Sequence, residues 1–500
     1  MSMPAPPYEN QFRANLETQL QTGVYDALKV EGTIPDWLTG TLLRNGPGQF
    51  EVAHASYPHW FDGQCMMYRY TFQNGRVSFA NAFLQSQSYL QDNANGEINF
   101  TGVATPTPKG IWPRIVGLFH PKPTDNCNIN FDKQAGEYLA LTELPASYVI
   151  EPFSLDTLEL FQYDDTINVD METAHPHYRD DGTIINYMLK MGLRSTYEIY
   201  HVAGRTRTKL ASLPRWSPAY MHSFGYTGRY VVLTENPMRL PPITGILDVA
   251  FQINPFIFNF KWDGTQPTTF TVVDLQTGQV VTQADSDPIY TFHHINSYVE
   301  GDEIVHDLAA YRNNDVWKAL YLDVLRSDHF MQTPSYIYRY RIPLNQGKHT
   351  TIKPEQIGTV QFELPRINYP AYNAKPYQYA YGVGVQSEQH PDFPNQIAKV
   401  DVTSGDAKTW YVEGNYPSES YFVANPAGTA EDDGVVLSTV YNSHTDDSFL
   451  LVLDAASFTE IARAPLPYRI PFGFHGMFYP GLVERTAWSP PVLRNARRKS

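Results

Sequence analysis

Residues 272–281 read VVDLQTGQVV, 399–410 read KVDVTSGDAKTW, and 451–464 read LVLDAASFTEIARA. Each has one plan: an apolar, β-branched run, an aspartate, a short polar turn, then a second run suited to a strand. Aspartate and glycine favour tight reversals, and the flanking residues fit pleated, half-buried surfaces. Similar short runs recur along the chain, among them GTLLRNG, CMMYRYTF, RYVVLTEN, DEIVHDLAAYR and GVVLSTVYN, with Gly, Pro, Asn and Asp between them. The pattern predicts an all-β fold. Hairpins recurring over 500 residues point to a β-propeller, whose blades are four-stranded sheets set around an axis. A pair of β-sandwiches is the alternative. Helix signals are confined to 213–221 and 315–328.

Composition narrows the chemistry. Hydrophobic residues make up 42% of the chain and charged residues 18%, the balance of a folded protein. The net charge is −15, which argues against nucleic acid as a partner, because that affinity rests on Lys and Arg neutralising phosphates. Only Cys65 and Cys127 are present, too few for a disulfide framework or a thiolate metal site. The opening MSMPAPPYENQF lacks a basic segment followed by an apolar core, and no run of 18 apolar residues appears. The expected location is cytoplasmic, with room for peripheral membrane contact. Two apolar stretches, 110–119 and 243–260, read as core or dome packing, or as a lipid-facing patch at a tunnel mouth.

FHHIN at 292–296 places two histidines side by side after an apolar residue. Neighbouring side chains on a strand face opposite ways, so the pair is a poor chelate. Any metal bound by one of them needs ligands from elsewhere. Among 15 histidines, His175, His222, His293 and His475 each sit at the border of a predicted strand. They lie too far apart in sequence for a local chelate, yet the inner ends of propeller blades converge. Neutral imidazole suits Fe, Cu, Ni and Zn alike. Metal-bound histidines normally donate their second N–H to a carboxylate or carbonyl. Glu143, Glu363 and Glu419 stand in apolar surroundings as candidate acceptors, although each alone could cap a turn or meet an arginine.

Ten motifs in order resemble the carotenoid cleavage oxygenases: GTLLRNGPGQFE, HWFDGQCMMYRY, PTDNCNIN, AHPH, MHSFGYT, FHHINSY, FELPRINY, KPYQYAYGVG, EDDGVVLS and FHGMFYP. The resemblance runs from about Val30 to Pro480 and is closest to the β-carotene oxygenase and retinoid isomerohydrolase branch. It implies a seven-bladed β-propeller with a loop-and-helix dome over one face. It makes 30–480 a single domain, flanked by an N-terminal extension (1–29) and a C-terminal tail (481–500). A non-haem Fe(II) is implied on His175, His222, His293 and His475, with Glu143, Glu363 and Glu419 orienting three of the rings. His294 is left facing away.

The implied reaction is cleavage of a carotenoid carbon–carbon double bond with O2 to give aldehydes, centrally to retinal for a β-carotene-like substrate. Phe61, Phe292, Phe474 and Tyr421 are candidate tunnel residues, with plain core packing as the alternative for each. The partners are then a lipophilic carotenoid or apocarotenoid and O2. Residues 104–127, ATPTPKGIWPRIVGLFHPKPTDNC, lack the PDPCK motif usual in animal members, which weighs against a cysteine-linked lipid anchor and an isomerohydrolase role. Thr142 precedes Glu143 where stilbene-cleaving members tend to carry lysine. Off-centre or apocarotenoid cleavage, stilbene cleavage, ester isomerohydrolysis and a non-catalytic lipid-binding propeller are the rival readings.

Overall fold

The computed structural model describes residues 11–105, 124–192, 194–243, 245, 254–328, 330–387 and 392–484. The stretch 110–119 lies outside them, as do 244 and 246–253 of the second apolar stretch.

The three opening segments occupy equivalent places. Each is the outer hairpin of a sheet: Thr268–Asp274 with Gln279–Ser286, Gln396–Asp401 with Ala407–Tyr411, and Asp447–Asp454 with Glu460–Pro465. The aspartate closes each turn, its carboxylate accepting the backbone N–H of Gln276, Thr403 or Ser457 at 2.7–2.8 Å. Gly278 and Gly405 end two of these turns at φ +70° and +80°, a conformation that costs a β-carbon. In the third turn Phe458 takes that conformation at φ +64°, and its buried ring packs against Tyr381.

The described strands form seven sheets of four to six strands, besides two two-stranded ribbons. These are the seven blades of a β-propeller. The sandwich alternative is thereby set aside. Both ends of the chain close the ring. Gly476–Pro480 pairs with Gly40–Gln49 in the first blade, setting Gly476 opposite Arg44. Glu31–Gly32 pairs with Glu460–Pro465 in the last. Within the 1–29 segment, Phe12 and Leu16 are buried and Gly23–Tyr25 adds an outer strand to the first blade. The apolar faces of neighbouring blades pack on each other: Leu42, Tyr70 and Phe72 of the first blade share a core with Leu437, Leu450 and Val452 of the last. Residues 485–500 of the tail lie outside the described residues.

One helix expectation is corrected. The strand Thr206–Arg215 runs through 213–215, and 216–221 carries no helix. Leu213 is buried between exposed Ser212 and Pro214, a two-residue alternation, and Pro214 and Pro218 each lack the N–H a helix needs. Two short helices, Val316–Ala319 and Leu322–Leu325, fall within 315–328. A further helix, Gln87–Asn95, begins under the Ser86 hydroxyl, which accepts the Tyr89 N–H, and ends at Gly96 in the left-handed region. The turn Trp60–Asp62 and helix Val316–Ala319 lie in connections between strands and line the cavity described next.

Candidate metal centre

Several edge strands begin or break at His or Glu. His293 and His475 stand immediately before His294–Glu300 and Gly476–Pro480, and His222 lies three residues before Gly225–Tyr226. His175 occupies the break between Met171–Glu172 and His177–Tyr178, two short strands on one neighbour. Glu363 opens Glu363–Arg366, and Glu419 fills the break between Asn415–Pro417 and Tyr421–Ala424. Glu143 follows Glu137–Leu141, the second strand of its blade. Residues hundreds apart in sequence therefore meet at one point.

One ligand nitrogen from each of the four histidines lies within 4.8 Å of all the others. His175 and His222 bring their Nε2 atoms to 2.9 Å, and His293 and His475 to 3.1 Å. Behind three rings stand the three glutamates. The Nδ1–H of His222 donates to Glu143 at 2.5 Å, that of His293 to Glu363 at 2.6 Å, and that of His475 to Glu419 at 2.7 Å. Donation from Nδ1 leaves the lone pair on Nε2, so these rings point acceptors at a common centre. Lone pairs so close repel unless a cation lies between them. The donor set therefore fits a divalent metal that accepts imidazole. Burial, then the neighbouring imidazoles, hold His175 well below the usual imidazole range, and His475 is likewise held down, by burial first. Neutral rings are the form that ligates.

The supporting groups include several that the sequence reading did not single out. The Tyr220 hydroxyl donates to Glu143 at 2.9 Å. Arg366 Nε donates to Glu419 at 2.8 Å, and Arg44 lies 3.5 Å from its other oxygen. Arg44 also donates to the carbonyls of Glu419 and Phe474. An arginine inside GTLLRNGPGQ, a strand buried at all ten positions, was a readable signal, since lone buried charge is rare. Among the described residues no glutamate backs His175; its backbone N–H donates to Thr173 Oγ1 at 3.1 Å. His294 turns away from the centre, between Ser223 and Thr234.

A cavity of about 1430 Å³ of empty space, mouth included, opens onto His222, His293 and His475. Phe61, Phe292 and Phe474 line it together with Trp60, Trp317 and Phe393. Phe61 sits edge-on to Phe292, Trp317 and Phe474, at centroid distances of 5.9, 5.4 and 5.2 Å. His59 sets two of these rings: it accepts the Phe61 N–H at 3.2 Å and donates to the Trp317 carbonyl at 3.1 Å. Tyr421 is not among the cavity residues; its ring lies under the Arg366 guanidinium, 4.8 Å from centroid to cation. Arg366 holds Glu419, so Tyr421 stands behind the centre rather than in front of it.

Residues 15–480 match the retinal pigment epithelial membrane protein family (RPE65). The chain belongs to that family, the carotenoid oxygenases. It is 33% identical to beta,beta-carotene 15,15'-dioxygenase of Mus musculus, the match covering 90% of this chain and 88% of that protein. With the mitochondrial carotenoid-cleaving dioxygenase of Mustela putorius furo the identity is 31%, over 93% and 95%. Among solved structures, cobalt-substituted Synechocystis apocarotenoid oxygenase superposes with a TM-score of 0.82 at 25% identity, covering 94% of this chain and 98% of that one. None of the described helices is long and apolar enough to cross a membrane.

Proposed function

We propose that this carotenoid oxygenase is a non-haem Fe(II) dioxygenase, held on His175, His222, His293 and His475, that cleaves a β-carotene-like substrate at its central double bond to give retinal. The observation that carries the reading is the convergence of four imidazole nitrogens, three of them from histidines that line an aromatic cavity. Bound Fe(II) supplies a redox centre that activates O2 toward an electron-rich alkene, chemistry that Zn does not offer. Overall, the C=C bond and the O–O bond break and two C=O bonds form. One oxygen atom enters each aldehyde, and no external electrons are needed.

The chain's own part is binding, orientation and exclusion of water. The rings of Phe61, Phe292, Phe474, Trp60 and Trp317 suit a long, flat, apolar polyene and hold it beside His222 and His293. Four neutral ligands leave the metal its full double charge. Glu143, Glu363 and Glu419 fix the ring orientations from behind without touching the metal. His175 is absent from the cavity lining, so substrate approaches from the side of the other three histidines. With β-carotene-like substrates the expected partners are lipophilic, and the cytoplasmic face of a membrane is where the enzyme would meet them.

The test is iron loading under anaerobic conditions, then β-carotene in detergent with ¹⁸O₂. Retinal with one ¹⁸O in each fragment supports the proposal. Long apocarotenals would move the cleaved bond, and carotene left intact by the iron-loaded protein would redirect the search to apocarotenoids and stilbenes. Failure to retain iron would overturn the reading.

A further inference from the structure

Two ligand motifs, AHPH and FHHIN, carry a second histidine one or two residues after the ligand. Hydrogen-bond bookkeeping shows what the second one does. Ser223 Oγ lies 2.6 Å from the Phe292 carbonyl oxygen, and only the hydroxyl has a proton to place there. With that proton used, Ser223 must accept from His294: the backbone N–H at 3.0 Å and Nδ1–H at 2.6 Å. His294 then presents a lone pair at Nε2, which takes the Thr234 hydroxyl proton at 2.7 Å. Thr234 accepts from His306 Nε2–H at 3.2 Å, and His306 Nδ1 accepts from Ser297 at 2.8 Å. One consistent direction satisfies every group. The run starts at Ser297 and ends on the peptide that precedes His293.

The run crosses between blades. Ser223 and Thr234 belong to the blade of His222, and His294, His306 and Ser297 to the blade of His293. Thr234, His306 and Ser297 are fully buried, where an unpaired polar group costs more than the bond itself gains. Space has been left for them. A β-carbon on Gly225 would stand 2.5 Å from His306 Cε1 and 2.7 Å from Ser297 Oγ. On the other flank His177 donates Nε2–H to the Phe224 carbonyl at 3.0 Å and accepts from the Tyr369 hydroxyl. The Thr173 hydroxyl donates to the His222 carbonyl. Residues 222, 223 and 224 are thus each gripped by a different side chain.

We propose that Ser223 and His294 are positioning residues that set the separation and tilt of the His222 and His293 rings across the blade boundary. The proposal rests on the metal-centre reading above and assigns the second histidine of FHHIN a role that is neither ligation nor simple packing. Ligand groups must be held to about 0.5 Å for a defined metal geometry, and loss of an outer hydrogen-bond partner typically costs roughly 10–100-fold in metal affinity.

The experiment uses cobalt(II) as the probe metal on the full chain. Affinity is read by chelator competition and ligand-field geometry by the visible absorption spectrum, with apo-protein melting recorded alongside. Ser223→Ala and His294→Ala are each expected to weaken cobalt binding by about 10-fold and to alter the band positions. Ser223→Thr, which keeps the hydroxyl, and His294→Asn, which keeps a donor toward Ser223, are expected to restore the spectrum. Wild-type affinity and spectrum in both alanine variants would overturn the proposal. So would failure of both conservative variants to restore the bands, because packing alone would then explain the loss. If His294→Ala does not fold, the Ser223 pair decides. His293→Ala separates the two readings: stoichiometric cobalt retained by that variant would defeat the metal-centre assignment itself, whatever Ser223 shows.

Discussion

Replacing Glu419 with Gln tests the electrostatics behind the centre. Glu419 is wholly buried, 2.8 Å from Arg366 Nε and 3.5 Å from Arg44 Nη1, and it also accepts from His475. At an effective dielectric of about 20 the two attractions are worth roughly 6 and 5 kcal/mol gross. Desolvation of three charges cancels much of that, but removing one partner of a buried pair leaves the others uncompensated, at roughly 3–5 kcal/mol. An unfolding entropy of about 2.1 cal/mol/K per residue over a chain this long converts this to a Tm drop of about 3–5 °C. Glu363→Gln is the control: among the described residues no Lys or Arg pairs with Glu363, which supports His293 at the cavity wall. Both variants should bind metal about 10-fold or more weakly, but only Glu419→Gln should also destabilise the apo-protein. Scanning calorimetry with metal removed reads this directly. Equal Tm values for Glu419→Gln and wild type would refute the reasoning, since two arginines would then tolerate burial without their carboxylate.

Other outcomes follow from single contacts. His293→Ala should lose metal outright while His294→Ala keeps a weakened site, a ranking read by metal analysis after gel filtration. Gly225→Ala forces its β-carbon to within 2.5 Å of His306; overpacking of this kind costs about 1–3 kcal/mol, seen as a lower urea midpoint. Burial holds the His59 imidazole down to about 3, so below about pH 6.5 the unfolded chain takes up a proton there that the folded one refuses. Stability from this residue is complete above pH 6.5 and is lost as the pH falls toward 3, by about 1.4 kcal/mol per pH unit. The His59→Gln variant should therefore have a shallower fall in urea-unfolding free energy between pH 6 and 4, and identical slopes would count against it. Phe61→Ala removes a ring shared by three aromatic neighbours at the cavity wall; the expected result is a raised KM and a broader set of cleavage products by HPLC.

Local signals in the sequence carried a large share of the fold. Asp274, Asp401 and Asp454 close equivalent turns, and a turn closed by its own carboxylate needs no tertiary context. The false helix at 213–221 and the unforeseen one at 87–95 show the limit. In the first, an outer-strand alternation at 211–214 overrode an apolar run. In the second, the Ser86 and Gly96 caps were visible, but the helix has little apolar periodicity. The four histidines were legible as strand-border residues and, through family motifs, as a set. Their supporters were less so. Tyr220 and Arg366 are ordinary in sequence, and only the ring of blades brings Arg44 and Arg366 to Glu419 across intervals of 375 and 53 residues. Tyr421 illustrates the same gap: an aromatic residue beside a glutamate can face a cavity or the back of a metal site, and sequence does not say which.

The arrangement of charge explains why the site is assembled this way. The proposed ligands are imidazoles, so a divalent metal held there would keep its charge, and Glu143, Glu363 and Glu419 behind the rings would balance it at a distance. Two arginines at Glu419 would cancel more than one carboxylate, whereas among the described residues no Lys or Arg pairs with Glu143 or Glu363. Those two serve His222 and His293, the same rings that the Ser223–His294 run links across the blade boundary. The side of the centre at His222 and His293 is therefore the side with both excess negative charge and a dedicated polar clamp. The side at His475 is instead pinned by an ion-pair network. Weakening either should loosen metal binding, but Glu419→Gln also strands two buried arginines at roughly 3–5 kcal/mol, whereas Ser223→Ala leaves only neutral groups unpaired at about 1–3 kcal/mol, so the two ought to separate along the Tm axis in a plot of metal affinity against apo-protein Tm.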